Sequence, residues 1–164
     1  MGGQQKILGI DPGTHAMGWG LVGAEKGGKI FPLKYGCIQS KPKTRRAESL
    51  LNIYHSLNKI IEENSPTILA IEQLFFFKNQ TTVISVAEAR GVAILAASLF
   101  GLKIFEYTPL AVKQALTGYG RADKRQVQEM VRLSCHLKAC PKPDDAADAL
   151  AIAICHAQTN RLEC

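Results

Sequence analysis

Residues 7–14 read ILGIDPGT, an apolar run that ends in Asp11 and then breaks at a Pro-Gly pair. Aliphatic residues in a short run bounded by turn formers predict a buried β-strand, so Asp11 lies where the chain leaves the sheet. On this stretch alone, Asp11 could equally be a turn residue that binds its own loop. The stretch TILAIE at 67–72 has the same form and closes on Glu72. If the two strands are parallel neighbours, both acids lie at one sheet edge, where ligand sites of α/β sheets gather.

The stretch PDDAADALAIAICHAQ at 143–158 predicts a helix that is apolar nearly all round and therefore buried. Asp145 and Asp148 are three residues apart and share one face of this helix. Buried carboxylates that crowd together either neutralise or bind cations. Spacing also permits Asp144 in place of Asp145, and we assign Asp144 to the N-cap. With the two strand ends, the pattern predicts a four-carboxylate site: Asp11, Glu72, Asp145 and Asp148.

Four carboxylates supply hard oxygen ligands, which favour Mg²⁺ or Mn²⁺ over zinc. They are typical of sites in which two divalent ions activate a water and stabilise the leaving oxygen of a phosphodiester. If these acids bind metal, ten acids remain against 20 Lys and Arg, in a chain of net charge +6. That balance favours an anionic partner such as nucleic acid.

Size and composition predict one globular domain over residues 1–164, with 46% apolar and 21% charged residues. We find no run of 18 apolar residues and no secretory leader, so we expect no membrane span and a cytoplasmic location. The five cysteines are scattered and predict neither a disulfide framework nor a zinc site.

The element pattern predicts a mixed sheet covered by helices, an α/β fold. Three antiparallel strands near 7–10, 17–23 and 30–38 precede a helix at 44–63 and the strand at 67–72. A helix at 82–100, a strand at 102–107 and helices at 109–116, 123–135 and 144–158 follow. Residues 82–100 are rich in alanine and are a candidate dimer face, or alternatively pack on the sheet.

These fragments together resemble the RuvC-type crossover (Holliday) junction resolvases. The resemblance rests on ILGIDPGT with GWGLV, on AIEQLFFFKN, EARGVAILAA and VKQALTGYGRADKRQVQEMV, and on DDAADALAIAI, in the family's order and spacing. It implies an RNase H-like fold with a five-stranded mixed sheet flanked by α-helices. It also implies that the metal ligands are Asp11, Glu72, Asp145 and Asp148, which favours Asp145 over Asp144.

The resemblance further implies a homodimer that makes paired symmetric nicks in four-way junction DNA, with two Mg²⁺ ions per site, alongside the RuvA and RuvB branch-migration proteins. Phe75 matches an aromatic that engages bases at the junction centre, and an exposed ring can stack on an unpaired base. Phosphate contacts are expected from basic residues near the site: Lys78, Lys113, Arg121, Lys124 and Arg125. The basic run Lys41, Lys43, Arg45 and Arg46 could also touch a DNA arm, but as a charge run at a helix start we interpret it as facing solvent.

Three other functions are compatible with parts of the sequence. The D-P-G-T stretch also resembles the phosphate loop of actin-like ATPases, but those proteins need a second domain for which 164 residues leave no room. Another RNase H-like nuclease, for example one that processes ribosomal RNA precursors, fits the fold. A junction-binding module without catalysis is the third alternative, although all four acids are present.

Overall fold

The computed structural model describes residues 4–13, 15–74 and 80–159, and strands within these ranges form one five-stranded mixed sheet. The strands are β1 Gln5–Asp11, β2 Ala16–Ala24, β3 Ile30–Gln39, β4 Ile68–Glu72 and β5 Lys103–Tyr107. They lie in the order β3-β2-β1-β4-β5. The first three strands pair antiparallel, whereas β1 with β4 and β4 with β5 pair parallel. The predicted mixed sheet, with β1 and β4 as parallel neighbours, is confirmed.

Five helices in the described part of the chain cover this sheet: α1 Arg46–Asn64, α2 Gln80–Leu99, α3 Pro109–Thr117, α4 Lys124–Ser134 and α5 Asp144–Thr159. Each matches a helix that the sequence predicts to within a few residues. The start of α4 is fixed by a capping box, in which the Asp123 carboxylate accepts from the Gln126 backbone N–H at 2.8 Å and the Gln126 side chain accepts from the Asp123 N–H.

The sheet separates two apolar cores. One core joins Ile7, Ile68 and Ala70 to α3, α4 and α5. The other core lies under α1 and α2 and includes Leu8 and Leu69. Because alternate residues of a strand face opposite sides, Asp11 follows Ile7 onto the α5 side and Glu72 follows Ile68 onto the same side.

Glycines in the sheet allow α5 to lie unusually close to it. A Cβ built on Gly9 would lie less than 3.0 Å from the backbone of Ala149, and one on Gly18 would meet the backbone of Asp145 as closely. Only residues without a side chain fit under the helix at these points. The small residues of α5 itself complete the contact, since Ala146, Ala149 and Ala153 are fully buried. This approach brings the first turn of α5 to the sheet edge where Asp11 lies.

Helix α2 is the most apolar helix of the fold. Its segment Thr82–Leu99 is long and apolar enough to cross a membrane by length and composition. The sequence did not predict this, because polar residues interrupt the apolar run. Such a helix is weak evidence for a membrane span, since core helices pass the same test. Here Ala89, Ala93, Ala96 and Ala97 are buried in the core under α1 and α2, so one side of the helix belongs to the folded domain.

The opposite side of α2 is exposed. Ile84, Leu95 and Leu99 are 59%, 54% and 64% exposed, and Gly91 is exposed between them. These residues follow one another at helical spacing and form an apolar stripe, which we call the α2 stripe. Packing of α2 on the remainder of the domain therefore leaves an apolar surface uncovered.

A buried histidine joins α5 to β5. His156 is fully buried, its Nδ1 lies 2.6 Å from the Tyr107 hydroxyl, and its ring centroid lies 4.5 Å from that of Phe105. Burial lowers the pKa of His156 to about 4, because the charged imidazolium loses its hydration. The neutral ring can accept a hydrogen bond at Nδ1, so we assign the hydroxyl of Tyr107 as the donor.

This histidine is expected to make the protein less stable in acid. Its pKa in the folded state lies below the unfolded value of about 6.5, so below that pH the unfolded chain binds a proton that the folded chain does not. We expect His156 to remove about 2 kcal/mol of stability between pH 6.5 and pH 5, at about 1.4 kcal/mol per pH unit. The free energy of unfolding in urea is measured for wild type and His156→Gln at both pH values. The contribution of the carboxylates is the same in both proteins, so the difference between them reports His156. Equal acid sensitivity of the two proteins would contradict it.

Candidate active site

Two strand ends supply the first carboxylates of the site. Asp11 ends β1 and Glu72 ends β4, and the parallel register pairs Ile10 with Ile71 immediately before them. Both acids line a cavity of about 270 Å³ at this edge of the sheet. The sequence prediction that the two acids share one edge is therefore confirmed.

The first turns of α5 bring further carboxylates. Asp148 lines the same cavity as Asp11 and Glu72. Asp145 lies beside it, with its backbone against Gly18 and its Oδ2 4.0 Å from the Sγ of Cys37 on β3. The i, i+3 spacing thus places both acids near the sheet edge, Asp148 in the cavity and Asp145 towards β3.

Asp144 differs from our expectation. It is the first residue of α5 rather than its N-cap, and the carbonyl of Pro143 accepts from the N–H groups of Ala146 and Ala147 instead. The Asp144 carboxylate binds the Nζ of Lys142 at 2.8 Å, and this contact holds the pKa of Asp144 below its usual value. A proline carbonyl can accept at a helix start, so the side chain of Asp144 is left to form surface ion pairs.

Crowding and burial raise the pKa values of the clustered acids. Burial raises the pKa of Asp11 to about 7, helped by the negative charges of Glu72, Asp148 and Asp145. Burial and Asp148 likewise raise the pKa of Glu72. Burial raises the pKa of Asp148 as well, although Lys124 opposes this. Half-buried acids that disfavour one another's charge form a strongly negative spot that a cation would relieve.

Two lysines border the carboxylates. Lys113 on α3 and Lys124 on α4 both line the cavity, and Lys124 Nζ lies 3.0 Å from Asp148 Oδ2 and 3.6 Å from Asp144 Oδ2. Two of the three lysines predicted to contact phosphate, Lys113 and Lys124, therefore lie at the carboxylate site. Lys124 also neutralises part of the charge of Asp148, which its sequence position did not indicate.

The donor set fits a hard divalent cation. Asp11, Glu72 and Asp148 present only carboxylate oxygens, the ligands that Mg²⁺ and Mn²⁺ prefer. Within residues 4–13, 15–74 and 80–159, no three His, Cys, Asp or Glu side chains are grouped closely enough to hold an ion as they lie. The acids therefore match a divalent cation in ligand type and in location, but they do not form a coordination shell in advance.

Sequence reasoning missed Arg90, which contacts the end of β4 that carries Glu72. Its Nε donates to the backbone carbonyl of Glu72 at 3.0 Å, and its guanidinium also binds the Glu106 carboxylate on β5 at 2.5 Å. The Arg90 side chain is only 16% exposed, whereas that of Glu106 is 44% exposed. Arg90 therefore ties α2 to the end of β4 that carries the Glu72 carboxylate. Arg90 is one of two charged residues, with Glu88, in the largely apolar 82–99 segment, and this was the available signal.

Arg121 and Arg125, two further predicted DNA contacts, do not line the cavity that holds the carboxylates. Arg125 lines a separate and larger groove of about 750 Å³ beside α4, which also includes Tyr119 and Glu129. Arg121 is exposed in the turn before α4. Phe75 and Lys78 lie outside the described residues.

Comparison with known proteins decides the family. The sequence model of the family described as crossover junction endodeoxyribonuclease RuvC matches residues 7–156. The chain belongs to the RuvC family. The matched range includes both strand ends and both α5 carboxylates described above. As a RuvC-family protein, the chain has the RNase H-like fold that its sheet order and flanking helices show.

Several relatives resemble the chain over nearly its whole length. A crossover junction endodeoxyribonuclease RuvC of Desulfitobacterium hafniense is 55% identical over 95% of this chain and 94% of its own. That of Rubrobacter xylanophilus is 51% identical over 97% of this chain and 88% of its own. Among solved structures, T. thermophilus RuvC in complex with Holliday junction substrate has a TM-score of 0.91 at 33% identity, covering 97% of this chain and 96% of that chain.

Proposed function

We propose that this chain is a structure-specific endonuclease that resolves four-way (Holliday) DNA junctions in recombination and repair. The observation that carries the proposal is the cavity in which Asp11, Glu72 and Asp148 meet Lys113 and Lys124 at one sheet edge. Carboxylates beside lysines suit a substrate that is bound through its phosphates and hydrolysed with the help of cations. RuvC relatives that are more than half identical support junction DNA as the substrate.

The proposed metal ligands are Asp11, Glu72, Asp145 and Asp148, and the proposed cofactor is Mg²⁺, two ions per site, with Mn²⁺ able to substitute. When bound, such ions activate a water molecule and stabilise the oxygen that leaves the phosphorus. The half-buried position of the four acids supports this assignment, as do the raised pKa values of Asp11, Glu72 and Asp148, because a cation relieves the repulsion among them.

The lysines of the cavity act on the substrate. Lys113 and Lys124 hold the scissile phosphate by charge and hydrogen bonding, which positions the phosphorus over the carboxylates. Lys124 is placed for this role because it already binds an anionic oxygen of Asp148 at 3.0 Å. Arg90 fixes the backbone of Glu72 and so positions the carboxylate that β4 contributes.

We further propose that residues 1–164 form one nuclease domain that works in the cytoplasm as a homodimer, together with the RuvA and RuvB branch-migration proteins. Two symmetric nicks require two active sites, which a twofold dimer supplies. The uncovered α2 stripe supports a dimer, because a large apolar surface is costly to leave in water. Phe75, Lys78, Arg121 and Arg125 are proposed as further DNA contacts.

Cleavage of a labelled synthetic four-way junction tests the proposed function, with a linear duplex of matched sequence and a matched RNA as controls. We expect paired nicks at symmetric positions in the junction alone, dependent on Mg²⁺ or Mn²⁺ and abolished by chelation. Binding without cleavage in either metal would favour the silent junction-binding module. Equal cleavage of RNA or linear DNA would favour another RNase H-like nuclease.

The dimer has its own test. Leu95→Glu places a charge in the centre of the α2 stripe, and we expect it to convert the dimer to a monomer in sedimentation or light-scattering measurements. Burying an unpaired carboxylate in an apolar interface costs several kcal/mol. Because each 1.4 kcal/mol weakens dimerisation tenfold, we expect this variant to be a monomer at micromolar protein concentration. Leu133→Glu on α4 is the matched control, since Leu133 is 48% exposed on the other side of the sheet. A Leu95→Glu protein that stays dimeric would exclude α2 as the interface.

A further inference from the structure

A second basic feature lies near the candidate active site but on the other side of the sheet. The turn between β3 and α1 carries Lys41 and Lys43, and Arg46 is the first residue of α1. With His15 these residues line a cavity of about 240 Å³ against α2. We call these three cations the β3–α1 basic turn. The acid that lines the same cavity is Glu88, which is already bound by Arg46. Within the described residues, Lys41 and Lys43 have no carboxylate partner, so the turn presents net positive charge.

The basic turn lies at the same sheet edge as the carboxylates. β3 ends at Gln39, which pairs with Ala16 at the start of β2. The next residue, Ser40, donates its N–H to the carbonyl of His15 at 3.1 Å, and His15 lies in the connection that begins at Asp11. Lys113 and Lys124 reach this edge from the α3–α5 side, whereas the basic turn reaches it from the α1–α2 side. Cations therefore flank the carboxylate site on both faces of the sheet.

The turn is held in one shape by its own contacts. The backbone N–H and the hydroxyl of Thr44 both donate to the carbonyl of Lys41, at 3.1 and 2.7 Å. Lys43 has a φ of +64°, in the left-handed region that residues with a Cβ rarely adopt. A turn fixed in this way presents its two lysines with less freedom than an open loop would, which lowers the entropic cost when they bind an anion.

We propose that the β3–α1 basic turn binds a backbone phosphate of the DNA substrate, on the opposite side of the sheet from Lys113 and Lys124. The inference rests on the proposed function, which supplies DNA as the polyanion. Phosphate contacts on both faces of the sheet fix the direction in which a DNA strand crosses the carboxylates. Two separated contacts orient the strand, whereas a single contact leaves it free to rotate. The sequence left open whether this run faces solvent or touches a DNA arm, and the proposal takes the second alternative for Lys41 and Lys43.

The test compares two charge-matched double variants. Lys41→Gln/Lys43→Gln neutralises the basic turn, and Lys26→Gln/Lys29→Gln neutralises two exposed lysines around the β2–β3 turn, at the opposite edge of the sheet. Junction affinity is measured for both and for wild type over a series of salt concentrations, and cleavage is measured at saturating enzyme. All four positions are exposed, so folding should not differ, and thermal unfolding checks this.

We expect the basic-turn variant to bind the junction about tenfold more weakly and to reduce the slope of log affinity against log salt by about 2, roughly one for each lysine that no longer neutralises a phosphate. The Lys26→Gln/Lys29→Gln control should keep the wild-type slope. An equal decrease in both variants would show that only net charge matters and would overturn the proposal, as would an unchanged slope in the basic-turn variant. Failure of the proposed function looks different, since wild type itself would then not cut junctions.

Discussion

Asp148→Asn is expected to lower the rate of junction cleavage by at least about a thousandfold while junction binding stays intact. Losing a carboxylate that holds a catalytic cation removes several kcal/mol of transition-state stabilisation, and each 1.4 kcal/mol is a factor of ten in rate. Binding should persist or tighten, because removing a negative charge beside Lys124 reduces repulsion of the incoming phosphate. Single-turnover cleavage at saturating enzyme, with binding measured separately in Ca²⁺, distinguishes the two effects. Asp11→Asn is expected to behave in the same way.

Asp144→Asn is the matched control for this experiment. Asp144 has the same chemistry and belongs to the same helix turn, but its carboxylate is bound to Lys142 at 2.8 Å and lies farther from Lys124, at 3.6 Å, than that of Asp148, at 3.0 Å. We expect its cleavage rate to stay within about threefold of wild type, as for an exposed ion pair worth under 1 kcal/mol. A large decrease in Asp144→Asn with little decrease in Asp145→Asn would reverse the assignment of the third metal ligand.

Gly18→Ala is expected to lower both stability and cleavage strongly. Its Cβ would meet the carbonyl oxygen and carbonyl carbon of Asp145, which are backbone atoms that cannot turn aside. Overpacking of this kind costs about 1–3 kcal/mol, and relief requires α5 to move away from the sheet. Because α5 carries Asp145 and Asp148, the same movement separates them from Asp11, and we expect cleavage to fall at least about a hundredfold.

The control for this glycine is Gly27→Ala. Gly27 lies in the β2–β3 turn, and a Cβ there would meet nothing within 4 Å. We expect its free energy of unfolding in urea to stay within about 0.5 kcal/mol of wild type and its cleavage rate to be unchanged. Wild-type stability and activity in Gly18→Ala would contradict the close approach of α5 to the sheet.

The two experiments probe one arrangement in different ways. The acids act only where elements from distant parts of the chain meet, since β1, β4 and α5 are separated by more than 50 residues each. Their meeting depends on glycine in the sheet and alanine in the helix, which remove the bulk that would hold the layers apart. The pattern DAADALAIA thus packs α5 on the sheet and carries two of the acids proposed to bind metal.

The sequence by itself determined the elements and the acids. Apolar runs that close on Asp11 and Glu72, and the helix that carries Asp145 and Asp148, follow from periodicity, because each residue's direction relative to its own strand or helix is set locally. Only the tertiary structure decided which groups face one another: Lys124 against Asp148, and Arg90 against the carbonyl of Glu72. Spacing likewise did not show that the carboxylate of Asp144 binds Lys142 at the surface. Local spacing carries no information about these contacts, because they depend on how distant elements pack and not on the period of any one of them.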